Sequence, residues 1–440
     1  MSRDPNAPAS EESPGTPNRW FMLSLVAFDY FVLYLHRNLI NYFQPPLEAD
    51  LGIGKFELGL LQWGFILPYC LAQLVVGYLG DRYRRRSVLL ASLSGSFVCL
   101  GLMALVQSFE ALLALRVALA LAQSPSVPAI ASVVADCFRP RTRSKAIGIY
   151  LVSYNFSLVV GGWLGGMVAD REHWSLPLSV FGGSDLEVAG WRMSLLLFAG
   201  FGGLVALILA ALFREPERTG AQEDRSGQGV QSLWPTVGSV LRIPTYRLIA
   251  TVFVVAGMII ASVQYWLPRY LTDQFGLSLA QSGLKATIWI QSATTVGLLL
   301  GGRWSDAWAR KWMSGRTLVQ LVGLAVLGPA LLVIGSGSSG PVLVAALIIF
   351  GVGTALYLVN LWACTFEVVS PRERATAIGL LNLSNGVFSS WADPVIGHMA
   401  DSGVGLGSIL SFLSLPSVLA VLLILWTIKY ALPRDYRGRV

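Results

Sequence analysis

Charge is what this 440-residue chain has least of. Only 13% of its residues are Asp, Glu, Lys or Arg, against about 25% in soluble domains, and a water-soluble fold is excluded. Histidine is scarce as well: His36, His173 and His398 stand far apart, without metal-ligand spacing. The four cysteines, Cys70, Cys99, Cys137 and Cys364, share no spacing, so neither a disulfide framework nor a thiolate metal site is expected. No nucleophile elbow or phosphate loop precedes a soluble helix. The chain is therefore not read as an enzyme, and no cofactor is expected. Residues 1–18 lack the basic-then-apolar order of a signal peptide. Their Pro, Ser and acidic content reads as a disordered tail.

What the chain has is apolar length, with 54% of its residues hydrophobic. Twelve runs meet the roughly 20 residues a bilayer-spanning helix needs. They lie near 20–43, 57–80, 87–107, 110–136, 145–169, 191–213, 247–271, 281–302, 317–335, 341–368, 375–398 and 408–431. They are too long and too continuous for the alternating strands of a barrel. The expected fold class is an all-α integral membrane protein with twelve transmembrane helices in two six-helix bundles.

A net charge of +7 invites a nucleic-acid partner, but its distribution argues against one. The positives gather in loops after even-numbered runs: Arg82, Arg84, Arg85 and Arg86; Arg139, Arg141, Arg143 and Lys145; Arg303, Arg310, Lys311 and Arg316; Arg372 and Arg374. This bias places both termini in the cytoplasm of a multi-pass protein of the cell membrane, with a bacterial inner membrane expected. A polar stretch opening with Arg214-Glu215-Pro216 divides the runs six and six. The expected plan is a cytoplasmic tail at 1–18, a first bundle at 19–213, a cytoplasmic linker at 214–246, a second bundle at 247–432 and a cytoplasmic tail at 433–440. The halves are related. Residues 140–170 and 371–401 align without a gap at an offset of 231, with 10 of 31 positions identical, where chance gives about two. The same offset pairs Asp136 with Glu367. Parallel six-helix repeats are a transporter plan with the substrate site at the repeat interface.

The stretch Gly77-Tyr78-Leu79-Gly80-Asp81-Arg82-Tyr83-Arg84-Arg85-Arg86 packs five charges into six residues between two membrane-length runs. It reads as gating hardware: Asp81, Arg82 and Arg85 on a hairpin lined by Gly77 and Gly80, with Arg141 and Arg143 in the loop after the fourth helix. Asp306, in Gly302-Arg303-Trp304-Ser305-Asp306, is the counterpart in the second half. The plain alternative is topology signalling by positive charge.

With GYLGDRYRRR at 77–86, PRTRSKAIG at 140–148, PRERATAIG at 371–379 and FREPER at 213–218, the chain resembles major facilitator superfamily transporters over nearly its whole length. The family's loop motif usually has Gly where Arg84 stands. Tyr34-Leu35-His36-Arg37, the stretch 116–138, and Trp266-Leu267-Pro268 resemble the branch of organic anion symporters and Spinster-like lipid transporters. That resemblance implies proton-binding carboxylates at the positions of His36 and Gln123, and this chain has neither. Either His36 carries the proton, or another group does, or transport is passive.

Ionisable residues at membrane depth are functional candidates by default. Tyr30, Tyr34, Arg37 and Asn41 share one face of helix 1. Arg37 is the expected receptor for an anionic substrate group, because its fork matches carboxylate or phosphate; the plain alternative is an Arg paired to a neighbouring helix. Asp29 and His36 share a second stripe and form a candidate proton pair, against a His merely packed and bonded to a carbonyl. Arg116 and Gln123 share a face of helix 4. Tyr154, Gln264, Tyr265, Asn382 and Asn385 are further candidate cavity residues; ordinary inter-helix hydrogen bonding is the competing account. Asp393 and Glu367 are assigned to the cytoplasmic and outer faces of the gates, or to pairs with arginine.

The expected function is alternating-access transport, secondary active or facilitative, of a small organic anion or an anionic amphiphile such as a lysophospholipid. Coupling to H+ or another ion is an open possibility. The protein is expected to act as a monomer in the lipid bilayer. A non-transporting receptor on a carrier scaffold is the alternative from another class.

Overall fold

The computed structural model describes residues 19–79, 84–138, 140–176, 186–215, 233–371 and 373–436. Gly80, Asp81, Arg82, Arg139 and Arg372 lie outside the described residues, as do the side chains of Arg141 and Arg143. Among the described residues there are twelve helical columns: α1 Arg19–Asn38, α2 Lys55–Leu79, α3 Arg85–Met103, α4 Phe109–Cys137, α5 Pro140–Val160 extended by a π-helical turn Gly161–Gly165 and by Gly166–Ala169, and α6 Gly190–Leu212; then α7 Pro244–Phe275, α8 Leu279–Lys311, α9 Gly315–Gly335, α10 Gly340–Val368, α11 as two pieces Arg374–Ser389 and Ala392–Asp401, and α12 Leu406–Asp435. Their boundaries follow local chemistry. The Ser108 and Ser278 side chains cap α4 and α8, accepting from Ala111 N and Gln281 N. Gly276, at φ 62°, ends α7 in the left-handed region that glycine tolerates, so the chain turns at once into α8.

Eight columns are long and apolar enough to cross a membrane by length and composition. The other four are α1, α2, α8 and α11. Three of these, α2, α8 and α11, form the seam between the halves together with α5. Two details depart from expectation. A two-stranded antiparallel hairpin, β1 His173–Leu176 with β2 Leu186–Ala189, stands between α5 and α6. The expected linker contains a helix, Leu233–Leu241.

The repeat is visible in matched ion pairs. Arg85 pairs with Asp136 within the first half, and Arg316 pairs with Glu367 at 2.6 Å within the second, each partner displaced by the same 231 positions. Arg316 also reaches Asp306 at 3.2 Å. Arg85 and Asp306 thus brace helices inside their own halves.

Twelve antiparallel columns put the ends of α1 and α12 on one face, the termini face. The hydrogen bonds and ion pairs joining described residues of the two halves lie between mid-height and the opposite, far face. Two clasps dominate. Asp170, ending α5, accepts from Leu279 N at 2.6 Å, Ala280 N at 3.1 Å and the Ser278 hydroxyl at 2.7 Å. Its repeat equivalent Asp401, ending α11, accepts from Lys55 N at 3.0 Å and Phe56 N at 2.8 Å. Each carboxylate therefore caps the first turn of a helix in the other half. One turn deeper, glycines permit backbone contact. A Cβ on Gly162 would stand 2.7 Å from the Gly283 carbonyl oxygen, and one on Gly59 would stand 2.4 Å from the Asp393 carbonyl oxygen. Arg269 of α7 adds an ion pair with Glu48 at 2.6 Å, and Gln44 donates to the Tyr265 carbonyl at 2.8 Å. The far face is sealed.

Candidate functional site

The aromatic stripe of α1 is built as its spacing predicts. The Tyr30 and Tyr34 rings lie 4.5 Å apart, Tyr30 meets Tyr150 at 5.1 Å, and Tyr34 meets Tyr154 at 4.8 Å. The Tyr154 hydroxyl donates to Gln264 Oε1 of α7 at 3.3 Å, which carries the cluster across to the second half. The Arg37 guanidinium stacks over Tyr34, Phe65 and Tyr69, with ring centroids 5.2, 4.6 and 4.7 Å from its central carbon. Among the described residues no carboxylate lies within ion-pair distance of it and no hydrogen bond leaves its guanidinium, although the side chain is only half-buried. Phe65 and Tyr69 were not among the expected site residues. Their i, i+4 spacing on α2 was the available signal, and it is indistinguishable from lipid-facing aromatics until α1 is placed.

Arg116 is a different group. It is fully buried. Its Nε donates to the Leu61 carbonyl at 3.1 Å, one terminal nitrogen to the Arg37 carbonyl at 2.9 Å and the other to Gln62 Oε1 at 3.2 Å. It ties α4 to α1 and α2. Its donors are spent on the protein, so the expected second cation for substrate is a brace instead.

His36 and Gln123 meet, through a residue that spacing did not reveal. Gln123 donates to the Ser96 hydroxyl at 2.8 Å and to the Leu33 carbonyl at 3.0 Å. His36 Nδ1 lies 2.9 Å from the same hydroxyl, and Nε2 lies 2.9 Å from the Phe198 carbonyl. A carbonyl only accepts, so Nε2 carries the proton, Ser96 donates to Nδ1, and Ser96 accepts from Gln123. The imidazole is neutral and satisfied at both nitrogens, and it is fully buried. The expected Asp29–His36 pair does not form. Seven residues are two helical turns, about 10 Å of rise, so a shared stripe does not bring the side chains together. Asp29 is fully buried and its carboxylate oxygens have no hydrogen-bond partner.

The remaining candidates scatter. The Tyr265 hydroxyl is committed to the Leu58 carbonyl across the far seam. Asn385 packs against Gly257 of α7, and Asn382 is half-buried on the same α11 stripe. No ring contact, hydrogen bond or ion pair ties either asparagine to Arg37. Glu367 sits toward the termini face and Asp393 toward the far face, the reverse of the expected order. Glu367 has its arginine, whereas Asp393 does not.

Comparison with known proteins follows this geometry. The sequence model of the Major Facilitator Superfamily matches residues 26–392. An MFS-type efflux pump of Mycolicibacterium smegmatis is 24% identical over 396 residues, covering 88% of this chain and 86% of the pump. A hexuronate transporter of Escherichia coli is 26% identical over 433 residues, covering 93% of this chain and 94% of that protein. The crystal structure of a bacterial homologue of the human lysosomal transporter Spinster, inward-facing and unoccupied, superposes with a TM-score of 0.79 at 20% identity, covering 97% of this chain and all of that one.

Proposed function

From the premise that this chain belongs to the Major Facilitator Superfamily, we propose that it carries a singly charged organic anion, with Arg37 receiving the anionic group. The chain is a multi-pass membrane transporter, not an enzyme. What supports a single-charge substrate is the contrast between the half-buried Arg37 and the fully buried Arg116. Arg37 keeps its guanidinium N–H groups unspent among aromatic walls, while Arg116 has given its own to Leu61, Arg37 and Gln62. Tyr34, Phe65, Tyr69 and Tyr154 give the substrate body flat apolar faces with hydroxyls at their rims. Tyr30 and Gln264 extend this cluster through Tyr34 and Tyr154. The hexuronate transporter among its relatives moves, by name, an anion of this kind.

The positive-inside bias puts the termini face in the cytoplasm, so the sealed far face is the one turned away from the cytoplasm. Asp81, Arg82, Arg141 and Arg143 then form the cytoplasmic latch that closes when the far clasps open. The protein works as a monomer.

The test is a ligand-induced thermal-shift panel of hexuronates and anionic lysophospholipids on the purified protein, since binding to the folded state raises apparent stability. A ligand that stabilises the native protein should bind Arg37→Ala roughly 10- to 100-fold more weakly, the value of a charge-assisted hydrogen bond. Unchanged affinity in Arg37→Ala overturns the assignment. Stabilisation by lysophospholipids alone replaces the small anion with an amphiphile.

A further inference from the structure

The two clasps of the far seam are repeat equivalents with one asymmetry. In the α5–α8 clasp the deep contact is glycine on glycine, Gly162 against Gly283. In the α2–α11 clasp the position equivalent to Gly162 is Asp393, set against Gly59. A carboxylate thus stands where the symmetric packing requires no side chain at all. Asp393 is 1% exposed, and neither carboxylate oxygen has a hydrogen-bond partner. The Ser262 hydroxyl and the Trp266 indole N–H of α7 face it as donors that favour the ionised form, but neither makes a hydrogen bond of normal geometry. Tyr265 is the titratable group opposite it. On the α2 side Gly59 meets the Asp393 backbone, and Trp63, a group that does not titrate, packs on Trp391 at 5.2 Å. Arg116 lies beyond Tyr265, held by carbonyls.

Leaving an ionised carboxylate in such a place costs several kcal/mol without a counter-charge. The surroundings also select what can neutralise it. An indole N–H cannot ligate a cation, and a sodium or calcium site needs several oxygens. Among the described residues no cluster of three metal-ligating side chains exists. A proton suffices. His36 does not compete for the proton, because both its ring nitrogens are engaged, Nδ1 with the Ser96 hydroxyl that Gln123 also meets and Nε2 with the Phe198 carbonyl.

We propose that Asp393 is the seat of a coupling proton, bound when the far seam closes and released when the carrier turns over. In the far-open state water reaches the carboxylate, which ionises; a proton taken from the far-side water converts it to the neutral acid, and the seam can close over it. This deepens the carrier reading above, but its test needs no substrate.

The experiment places spin labels at Glu172 and Gln281, exposed far-face positions on opposite halves, and measures the distance distribution in full-length protein in lipid nanodiscs across pH. One proton bound only in the closed state makes the closed-to-open ratio fall about tenfold per unit rise in pH once the water-exposed carboxylate of the open state is ionised, above about pH 4. Low pH closes the far face and high pH opens it. Asp393→Asn should fix the ratio near its low-pH value and abolish the response. Asp393→Ser, a smaller neutral variant, should do the same if the Asn protein folds poorly. A pH response retained in either neutral variant, or its absence from the native protein, overturns the proposal. Failure of hexuronate binding would overturn the substrate assignment and leave this result standing.

Discussion

Two arginines of the same chemistry, both inside the first bundle, do opposite work, and the difference is what their forks touch. Arg116 satisfies two main-chain carbonyls and one amide oxygen. Arg116→Gln should therefore strand buried acceptors at about 1–3 kcal/mol each and lower the melting temperature in detergent markedly. Arg37→Ala removes only cation–π contacts, about 0.5–1 kcal/mol at part-exposed sites, and should melt nearly as the native protein does. Equal melting of the two variants would contradict this division. His36 is likewise a structural group, because both ring nitrogens are occupied. His36→Gln should leave the pH response of the far-face distance intact, measured with the same labels; loss of that response would return the proton to His36. The stripe Tyr30–Tyr34–Arg37 was legible in the sequence because helical spacing alone brings those side chains together. The fate of Arg116 was not, since carbonyl acceptors are present at every residue and leave no trace in sequence. Ser96 escaped, and Asp393 was assigned to the wrong end of the gate, for a related reason: their meaning comes from the helix opposite, not from their own.

At the scale of elements, the repeat explains more than internal resemblance. The aligned segments 140–170 and 371–401 end in Asp170 and Asp401, and each of these caps a helix belonging to the other half. The sequence showed that these aspartates recur; it did not show that α8 and α2 present bare N–H groups to them, which depends on how the halves dock. Capping carboxylates contribute about 0.5–2 kcal/mol. Because both clasps exist only when the far face is shut, this energy biases the conformational equilibrium and not the folding of either bundle. Asp170→Ala should shift the population toward the far-open state by roughly 2- to 30-fold, and Asp401→Ala should do so comparably. The two sites share no partner, so the double variant should show nearly the product of the single effects. Labelled distances between Glu172 and Gln281 measure the shift; populations unmoved by either change would mean that the caps do not set the gate.

For the whole molecule, transport requires the sealed far face to open while the bundles move as units, since each half is braced internally by Arg85–Asp136 or Arg316–Glu367. The twelve-helix architecture was fully legible from run lengths. The state of the gate was not, because both states bury similar apolar stripes and differ mainly in which end of the seam is closed. A covalent tether across one clasp tests the motion directly. The Asp170 carboxylate and the Ser278 hydroxyl are 2.7 Å apart on an exposed part of the far face, and the native cysteines are buried or half-buried and so compete poorly. The pair Asp170→Cys with Ser278→Cys should close a disulfide under mild oxidation. In proteoliposomes supplied with the anion identified by thermal shift, oxidation should halt exchange and reduction should restore it, while each single-cysteine variant remains insensitive to oxidant. Reduced protein should exchange at least as fast as native, because the cap that held the far face shut has been removed. Exchange persisting in the cross-linked protein would show that substrate reaches the far side without separation of α5 from α8, and a carrier whose halves rock about a central site would then be the wrong description.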